Sequence, residues 1–211
     1  GKGYQDRVLM QAFWAGKTKG NTGDIDLSAT VNGPASFAID LKPSRIVFDR
    51  GEWTNARTAR IRVDSSTITV DTLEMVNAGQ AVRLGGTIGK DPSAALSFDL
   101  HDVRLENLRP LYQGPALHGA LSGDGRVFDL YGNPYLLSYL CIDSLAFEDK
   151  AVGDLVFTAA YRDGEDAINV NGTLRHDTLQ ALNFTGRLAP GQADELRVKL
   201  RMDRFDLRFL N

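Results

Sequence analysis

Few residues of this chain could take part in chemistry, and none of them stands in a catalytic or metal-binding pattern. The three histidines, His101, His118 and His176, are too far apart in sequence for the usual spacing of metal ligands. No serine or cysteine lies in a nucleophile elbow. Cys141 lies inside an apolar run, which is typical of a small core residue rather than of a reactive thiol. The sequence therefore predicts a protein that is not an enzyme.

Loops that bind phosphate or calcium are not indicated either. The segment Gly123-Asp124-Gly125 lacks the spacing and the following helix of a phosphate-binding loop. The acidic segment 163–166 lacks the wider ligand pattern of a calcium loop, so we expect a solvated hairpin turn there. We expect neither a metal nor a cofactor.

Composition and charge exclude several classes of protein. Hydrophobic residues make up 43% of the 211 residues and charged residues 24%, which is typical of a globular chain. The net charge of -3, with acidic and basic residues interleaved, gives no basic surface for nucleic acid. A single cysteine excludes an internal disulfide. No run approaches the roughly 20 apolar residues of a membrane helix.

Most of the chain alternates between apolar and polar residues, which predicts β-strands with one apolar face. Turn signals separate these runs at 32–34, 91–92, 132–134, 163–164, 171–172 and 190–191. Only residues 102–112 suggest a helical or irregular segment. The sequence predicts an all-β protein. The apolar positions that we expect to lie along one face are Ile25, Leu27, Val31, Phe37, Ile39, Ile61, Val63, Ile68, Val70, Val82, Leu84, Leu96, Phe98, Leu100, Leu155, Phe157, Ile168, Val170, Leu182, Phe184, Leu196, Val198 and Leu200.

An internal repeat relates the two halves of the chain. A shift of about 100 positions places Gly23-Asp24 on Gly123-Asp124, and it keeps the apolar phase of most strands. Further identical pairs are Ile68 with Ile168, Val70 with Val170, Gly86 with Gly186, Leu96 with Leu196 and Leu100 with Leu200. Two architectures fit such a repeat: a pair of β-sandwiches, or one continuous sheet that coils along an axis.

The order and spacing of several segments resemble the repeat region of TamB-type bacterial envelope proteins, in the wider AsmA-like group. An alternating strand runs into a Leu-x-x-Leu-x-Pro element over residues 96–111, and the Gly-rich segment 117–125 follows. The strand-like segments 168–174 and 182–188 come next, and Phe205–Leu210 opens the motif again. The resemblance covers most of residues 20–211.

The resemblance implies a fold and a function. TamB-like proteins belong to the translocation and assembly module, and they form long curled β-sheets, described as a β-taco or half-pipe, in the periplasm of diderm bacteria. They are implicated in lipid transport, in outer-membrane biogenesis and in protein secretion. The expected partners are phospholipids or other hydrophobic clients, with an outer-membrane barrel contacted through regions outside this chain. We expect the inner-membrane anchor to lie outside the chain as well.

These inferences predict one elongated, curled antiparallel sheet built from two repeats of about 100 residues. We expect residues 1–20 to be an N-terminal extension or a partial strand, residues 21–112 to form repeat 1 and residues 113–211 to form repeat 2. About fourteen strands spaced by about 4.8 Å would give an apolar trough of roughly 65–70 Å. Exposed edge strands would also allow self-association. The alternative from the sequence is a tandem β-sandwich module that displays loops to a protein or sugar partner.

Overall fold

A computed structural model describes residues 6–15, 22–48, 51–91, 93–107, 116–129, 133–162, 167–176, 181–189 and 196–203. Most of these residues lie in strands, and residues 105–107 form a short 3-10 turn within the segment expected to be helical or irregular. The strands belong to one 15-stranded sheet. The prediction of an all-β protein built on a single antiparallel sheet is therefore confirmed. No helix among the described residues is long and apolar enough to cross a bilayer.

The chain divides into two compact units. Unit 1 comprises residues 1–99 and 128–132, and unit 2 comprises residues 100–127 and 133–211. The N-terminal segment contributes a full strand, because Asp6–Ala15 pairs with the next strand along its whole length.

In unit 1 the strands do not follow their order in the sequence. The order in the sheet is β8-β7-β5-β4-β2-β3-β6, with β1 paired to β2 and with a further pairing of β6 to β7. The strands are β1 (Asp6–Ala15), β2 (Thr22–Gly33), β3 (Ser36–Leu41), β4 (Ser44–Phe48), β5 (Gly51–Asn55), β6 (Ala59–Val63), β7 (Thr67–Asn77) and β8 (Gln80–Gly89), and β9 (Ala95–Arg104) extends from unit 1 into unit 2.

In unit 2 each strand pairs with the next one in the sequence, as in a simple meander. The registers of the last four strand pairs are regular apart from a bulge between Ile142 and Ala146. The strands are β10 (Leu117–Phe128), β11 (Tyr135–Phe147), β12 (Lys150–Arg162), β13 (Ala167–Arg175), β14 (Ala181–Leu188) and β15 (Leu196–Asp203).

The repeat explains why unit 1 looks irregular. Strand β2 pairs with both β3 and β4, and β7 pairs with both β5 and β6. After a shift of 100 positions, β3 and β4 together correspond to β11, while β5 and β6 correspond to β12. The long hairpin of unit 2 is thus split in unit 1, where Lys42-Pro43 interrupts the strand and Pro43 supplies no backbone N–H.

Asn55 satisfies the backbone at this split. Its side chain is only 2% exposed. The Oδ1 atom accepts a hydrogen bond from the Ser44 N–H at 2.7 Å, and Nδ2 donates to the carbonyl oxygens of Lys42 at 3.1 Å and Arg57 at 3.0 Å. The Ser44 hydroxyl in turn accepts from the Asp26 N–H. Asn55 therefore pairs three backbone groups that the interrupted strands leave without a ladder partner.

The registers of the two units agree where both strands are continuous. In unit 1, Ile68 lies opposite Ile88 and Val70 opposite Gly86. In unit 2, Ile168 lies opposite Leu188 and Val170 opposite Gly186. The repeat is therefore preserved at the level of individual strand partners.

One turn prediction is wrong. Asn171-Gly172, a turn signal by composition, lies within strand β13. The two strands beside β13 place Phe157 and Phe184 opposite Gly172, so the glycine makes room for side chains rather than for a turn.

The turn between β6 and β7 depends on one carboxylate. Asp64 accepts hydrogen bonds from the Thr67 hydroxyl at 2.6 Å and from the backbone N–H groups of Ser66 and Thr67 at 2.8 Å. The Thr67 hydroxyl, followed by these N–H groups, lowers the pKa of Asp64 to about 2. The charged form therefore stabilises this turn.

We predict that Asn55→Ala lowers the free energy of unfolding by about 1–3 kcal/mol, because it removes the buried acceptor of the Ser44 N–H. Urea unfolding followed by circular dichroism measures this loss. Asn171→Ala, at an exposed position of β13, serves as the control and should change stability by less than about 0.5 kcal/mol. Equal effects of the two substitutions would contradict the assigned role of Asn55.

A second prediction concerns acid. The pKa of Asp64 is depressed on folding, so its contribution to stability is present above its unfolded pKa of about 3.9 and is lost as the pH falls through about 2. Asp64→Asn should therefore reduce the urea midpoint at neutral pH, and its difference from the wild type should vanish near pH 2. Thr67→Val removes the strongest donor but keeps the carboxylate, so it should give a smaller effect of the same sign. A difference that does not change with pH would contradict this account.

Candidate functional site

The registers of unit 2 place apolar side chains from β11 to β15 on one face. Directly opposite residues of antiparallel strands point to the same side of a sheet. Leu155 lies opposite Leu174, which lies opposite Leu182 on the next strand. The apolar face of unit 2 consists of Leu136, Leu140, Ile142, Leu155, Phe157, Ala159, Tyr161, Ile168, Val170, Leu174, Leu182, Phe184, Leu188, Val198 and Leu200, together with Ser138, Gly172 and Gly186.

This face is not covered in the way that a protein core is covered. Of its apolar members only Leu174 is buried, and the others are half-buried or exposed. Val198 and Leu200 on β15 are 47% and 57% exposed. Valine and leucine are among the residue types most often fully buried in folded proteins. All the described strands belong to one sheet.

The opposite face of the same strands is mostly polar. Asn169, Asn171 and Thr173 of β13 alternate with the apolar positions, and Arg197, Lys199 and Arg201 do so on β15. Strand β11 departs from this pattern, because Leu137 and Tyr139 lie on the polar side and are about half exposed. The alternation therefore separates a solvated face from an apolar one over most of unit 2.

Unit 1 has an apolar face of its own, built by the same registers. Ile61 lies opposite Ile39 on one side and Val70 on the other. Trp53, Ala59, Val70 and Ile88 are buried, and the remaining members are half-buried or exposed. The apolar face of unit 1 consists of Ile25, Leu27, Ala29, Val31, Phe37, Ile39, Leu41, Ile46, Trp53, Ala59, Ile61, Val63, Ile68, Val70, Leu73, Met75, Val82, Leu84 and Ile88.

Ion pairs between strands mark the other face of unit 1. Arg60 pairs with Asp40, to which it lies directly opposite, and the Arg60 hydrogen bond lowers the pKa of that carboxyl. Arg83 donates to Glu74 at 2.7 Å and to Asp99 at 2.9 Å. These pairs keep charged groups on the face that lies opposite the apolar one.

The predicted apolar positions fall into these two sets, with four further residues to place. Leu96, Phe98 and Leu100 take alternate positions on β9, and all three are half-buried. The backbone of Leu196 pairs with Leu188 on β14, and its side chain lies outside the described residues. Apart from these four, the registers within each unit bring together the candidate residues that the alternation selected.

The sequence pattern missed several members of these faces. The run 135–142 contains apolar residues at both odd and even positions, so the sequence has no alternation there. It could not show that Leu136, Leu140 and Ile142 share one face. In β1, Val8 and Met10 pair with Ala29 and Leu27, which adds β1 to the apolar face of unit 1. Their alternation was obscured because Leu9 and Phe13 are apolar too.

The two glycines at matching repeat positions differ in structure. Gly86 has a φ of +122° beside the bulge between β7 and β8, and a β-carbon there would collide with the carbonyl oxygen of Ala95. Gly186 has regular partners, and the nearest atom to a β-carbon would be the Arg197 carbonyl oxygen at 3.7 Å. Gly86 thus serves a bulge, whereas a β-carbon at Gly186 would make only ordinary van der Waals contacts.

Two histidines have polar atoms within hydrogen-bonding distance. His118 Nδ1 lies 2.9 Å from Glu106, and His176 Nδ1 lies 2.9 Å from the Val152 carbonyl oxygen. The described residues contain no group of three or more His, Cys, Asp or Glu side chains that could hold a metal. The acidic segment 163–166 lies outside the described residues. The apolar members of the two faces offer contact to apolar groups.

Comparisons with protein-family models, with curated proteins and with solved structures gave no match for this chain.

We predict that Gly172→Ala destabilises the protein by about 1–3 kcal/mol, since overpacking moves neighbouring atoms. A β-carbon at Gly172 would lie 2.6 Å from both the Phe184 ring and the Val156 carbonyl oxygen. Gly186→Ala is the matched control on the adjacent strand, and it should be neutral or stabilising by up to about 1 kcal/mol. Chemical denaturation of both variants decides the point, and a larger loss for Gly186→Ala would refute the packing described here.

Proposed function

We propose that this chain is a non-enzymatic part of a TamB-like envelope protein, and that its apolar sheet faces shield phospholipid acyl chains or hydrophobic outer-membrane protein clients. The observation that supports the proposal is the apolar face of unit 2, whose members share one side of β11 to β15 and, apart from Leu174, are half-buried or exposed. A sheet with one apolar face requires a cover, which is another layer or a ligand.

The dimensions of this face suit an acyl chain. Neighbouring strands are about 4.8 Å apart, so β11 to β15 span about 19 Å across the sheet. Four alternate positions along a strand extend about 20 Å. An acyl tail that fills half of a 30 Å hydrocarbon core extends about 15 Å. One tail could therefore lie on unit 2 along or across the strands.

The chemistry of the lining suits movement as well as binding. The hydroxyl of Ser138 donates to the Ala159 carbonyl oxygen at 3.2 Å, so the polar group on this face has a partner. Each CH2 group withdrawn from water contributes up to about 0.8 kcal/mol. Because Leu, Ile, Val and Phe side chains repeat along the face, neighbouring positions bind a tail similarly, and no step needs a chemical reaction.

The resemblance supports the setting. On this proposal the headgroups stay in water at the open side of the sheet, in the periplasm of a diderm bacterium, while an anchor and a barrel-contacting region elsewhere in the protein supply attachment. The tandem β-sandwich alternative needs a second sheet over each apolar face. The described strands belong to one sheet, which favours the shielding proposal.

Site-specific photo-crosslinking tests the proposal. We predict that a benzoylphenylalanine at Phe184, on the apolar face, forms adducts with phospholipid when the protein is made in the periplasm of a diderm bacterium. The same probe at Thr185 is the matched control, because that neighbouring side chain is exposed on the other face. Mass spectrometry of the adducts identifies the bound class, lipid or protein. Equal labelling at both positions, or none at position 184, would reject shielding by this face.

A further inference from the structure

The polar face of unit 2 concentrates positive charge on three neighbouring strands. This face comprises the side chains of β11 to β15 that alternate with the apolar ones. Among the side chains that the structure describes on β13 to β15, the charged members of this face are all basic: Arg175, Arg187, Arg197, Lys199 and Arg201. A chain whose net charge is -3 thus presents a local cationic patch.

The internal repeat shows that this charge is particular to the second repeat. After a shift of 100 positions, the three basic residues of β15 correspond to Ser97, Asp99 and His101 of β9. In the first repeat Asp99 forms an ion pair with Arg83 at 2.9 Å. An acid that neutralises an arginine in the first repeat has therefore become a lysine in the second.

A second acid of this face is lost in the same way. Asp71 of β7 forms an ion pair with Arg62 at 2.6 Å. The same shift places Asp71 on Asn171 and Arg62 on Arg162, so the base is kept while the acid becomes an amide. The substitutions between the repeats thus change a face with paired charges into one with an excess of cations.

Exposed apolar side chains lie on the same face of unit 2, on β11. Tyr139 is 54% exposed and Leu137 is 48% exposed. Strand pairing places Tyr139 in one row with Lys199, about 19 Å away across four strand spacings. The residues between them in this row are Thr158, Asn171 and Thr185.

We propose that the polar face of unit 2 binds the surface of an anionic phospholipid bilayer. Each Lys or Arg side chain near such a surface strengthens binding by about fivefold. Tyr139 and Leu137 add apolar contact in the headgroup region, where a tyrosine places its ring against apolar groups and its hydroxyl in water. Charge attraction and apolar burial together give firmer attachment than either contribution alone.

The spacing of the cations suits a charged surface. Lys199 and Arg201 are two positions apart on one strand, so their Cα atoms lie about 7 Å apart. This distance is shorter than the Debye length of about 8 Å at physiological ionic strength, so the two charges act together on an approaching layer of anions. An even distribution of a net charge of -3 would be repelled by that layer, and a concentrated patch reverses the effect locally.

A single-stranded nucleic acid matches this face less well. Proteins that bind single strands combine stacking aromatic rings with the cations that follow the backbone. Here the exposed ring of Tyr139 is separated from Lys199 by uncharged side chains, and the exposed neighbour on its strand is Leu137 rather than a second ring. A bilayer accommodates this separation, because it offers negative charge and apolar groups over a continuous area.

This inference concerns the face opposite the one proposed to shield acyl chains, and it does not depend on that function. Sedimentation of the full chain with lipid vesicles tests it. We expect binding to vesicles of phosphatidylglycerol and phosphatidylcholine in equal parts, little binding to phosphatidylcholine alone, and release by added salt. Attachment through the apolar face is independent of headgroup charge, so the difference between the vesicle types reports on the polar face. Equal binding to both types, or to neither, would overturn the proposal and leave acyl shielding untouched.

Charge reversal identifies the face that binds. Lys199→Glu combined with Arg201→Glu should weaken binding to the phosphatidylglycerol vesicles by more than about tenfold. Lys90→Glu combined with Arg57→Glu makes the same change of net charge at exposed positions outside the strands, and its effect should be much smaller. Circular dichroism confirms that both variants are folded. Equal losses in the two double variants would show an effect of total charge and reject the assigned face.

Removal of the apolar contact separates a bilayer from other polyanions. Leu137→Ser combined with Tyr139→Ser should weaken vesicle binding by about threefold or more, because both side chains lose apolar burial in the headgroup region. Binding of single-stranded DNA or of polyglutamate to the unmodified chain should be weaker than binding to the vesicles. Tighter binding of either polyanion, or unchanged vesicle binding by the Leu137 and Tyr139 variant, would contradict the assignment of a bilayer as the partner.

Discussion

The parity of antiparallel pairing is the constraint on which the other features of this sheet depend. Side chains alternate between faces, so a shift of one residue between two strands would exchange their apolar and polar sides. From β12 to β15, each strand keeps its apolar residues opposite those of its neighbours, as in the row Phe157, Gly172, Phe184 and Leu200. A slip at β15 alone would place Lys199 among apolar side chains, at a substantial desolvation cost.

Local irregularities in the sheet preserve this parity rather than break it. Between β7 and β8, Val70 lies opposite Gly86 and Leu73 lies opposite Leu84, so β7 has one more residue than β8 in this interval. This extra residue places Leu73 on the same apolar face as Val70. At the split of unit 1, Asn55 satisfies the backbone groups that the interrupted strands leave. The corresponding residue of unit 2 is Leu155, and there the hairpin runs on with only a bulge. The same repeat therefore occurs once with split strands and once with a bulged hairpin, and in both cases its apolar side chains lie on the same face of the sheet.

The apolar faces of this sheet are surfaces that water solvates poorly. Their half-buried or exposed side chains are matched by a molecule with apolar surface and no hydrogen-bonding demand, such as an acyl tail. This property follows from strand pairing itself, because neighbouring strands satisfy the backbone while the apolar side chains still require a cover.

Much of the fold could be read from the alternation, including the strands of the second half and the apolar positions on them. The pattern failed where a run lacks alternation, as over residues 135–142, and where a residue serves a distant neighbour. Gly172 looked like a turn residue because Asn-Gly is a common turn dipeptide. The structural reason for the glycine, the phenylalanines Phe157 and Phe184 opposite it, lies on other strands and was not visible in the local sequence. The split between β3 and β4 was likewise hidden, since it depends on a buried contact of Asn55 with residues up to 13 positions away.

The sequence alone determined which side chains of each strand share a face, because a period of two is a property of neighbouring residues. It also determined the repeat and the absence of a recognised catalytic pattern. Only the tertiary structure decided which strands are neighbours, where the registers bulge or split, and how far each side chain of the apolar faces is buried. These depend on pairing between residues far apart in the chain, and pairing is selected by the packing of whole strands rather than by any local run of residues.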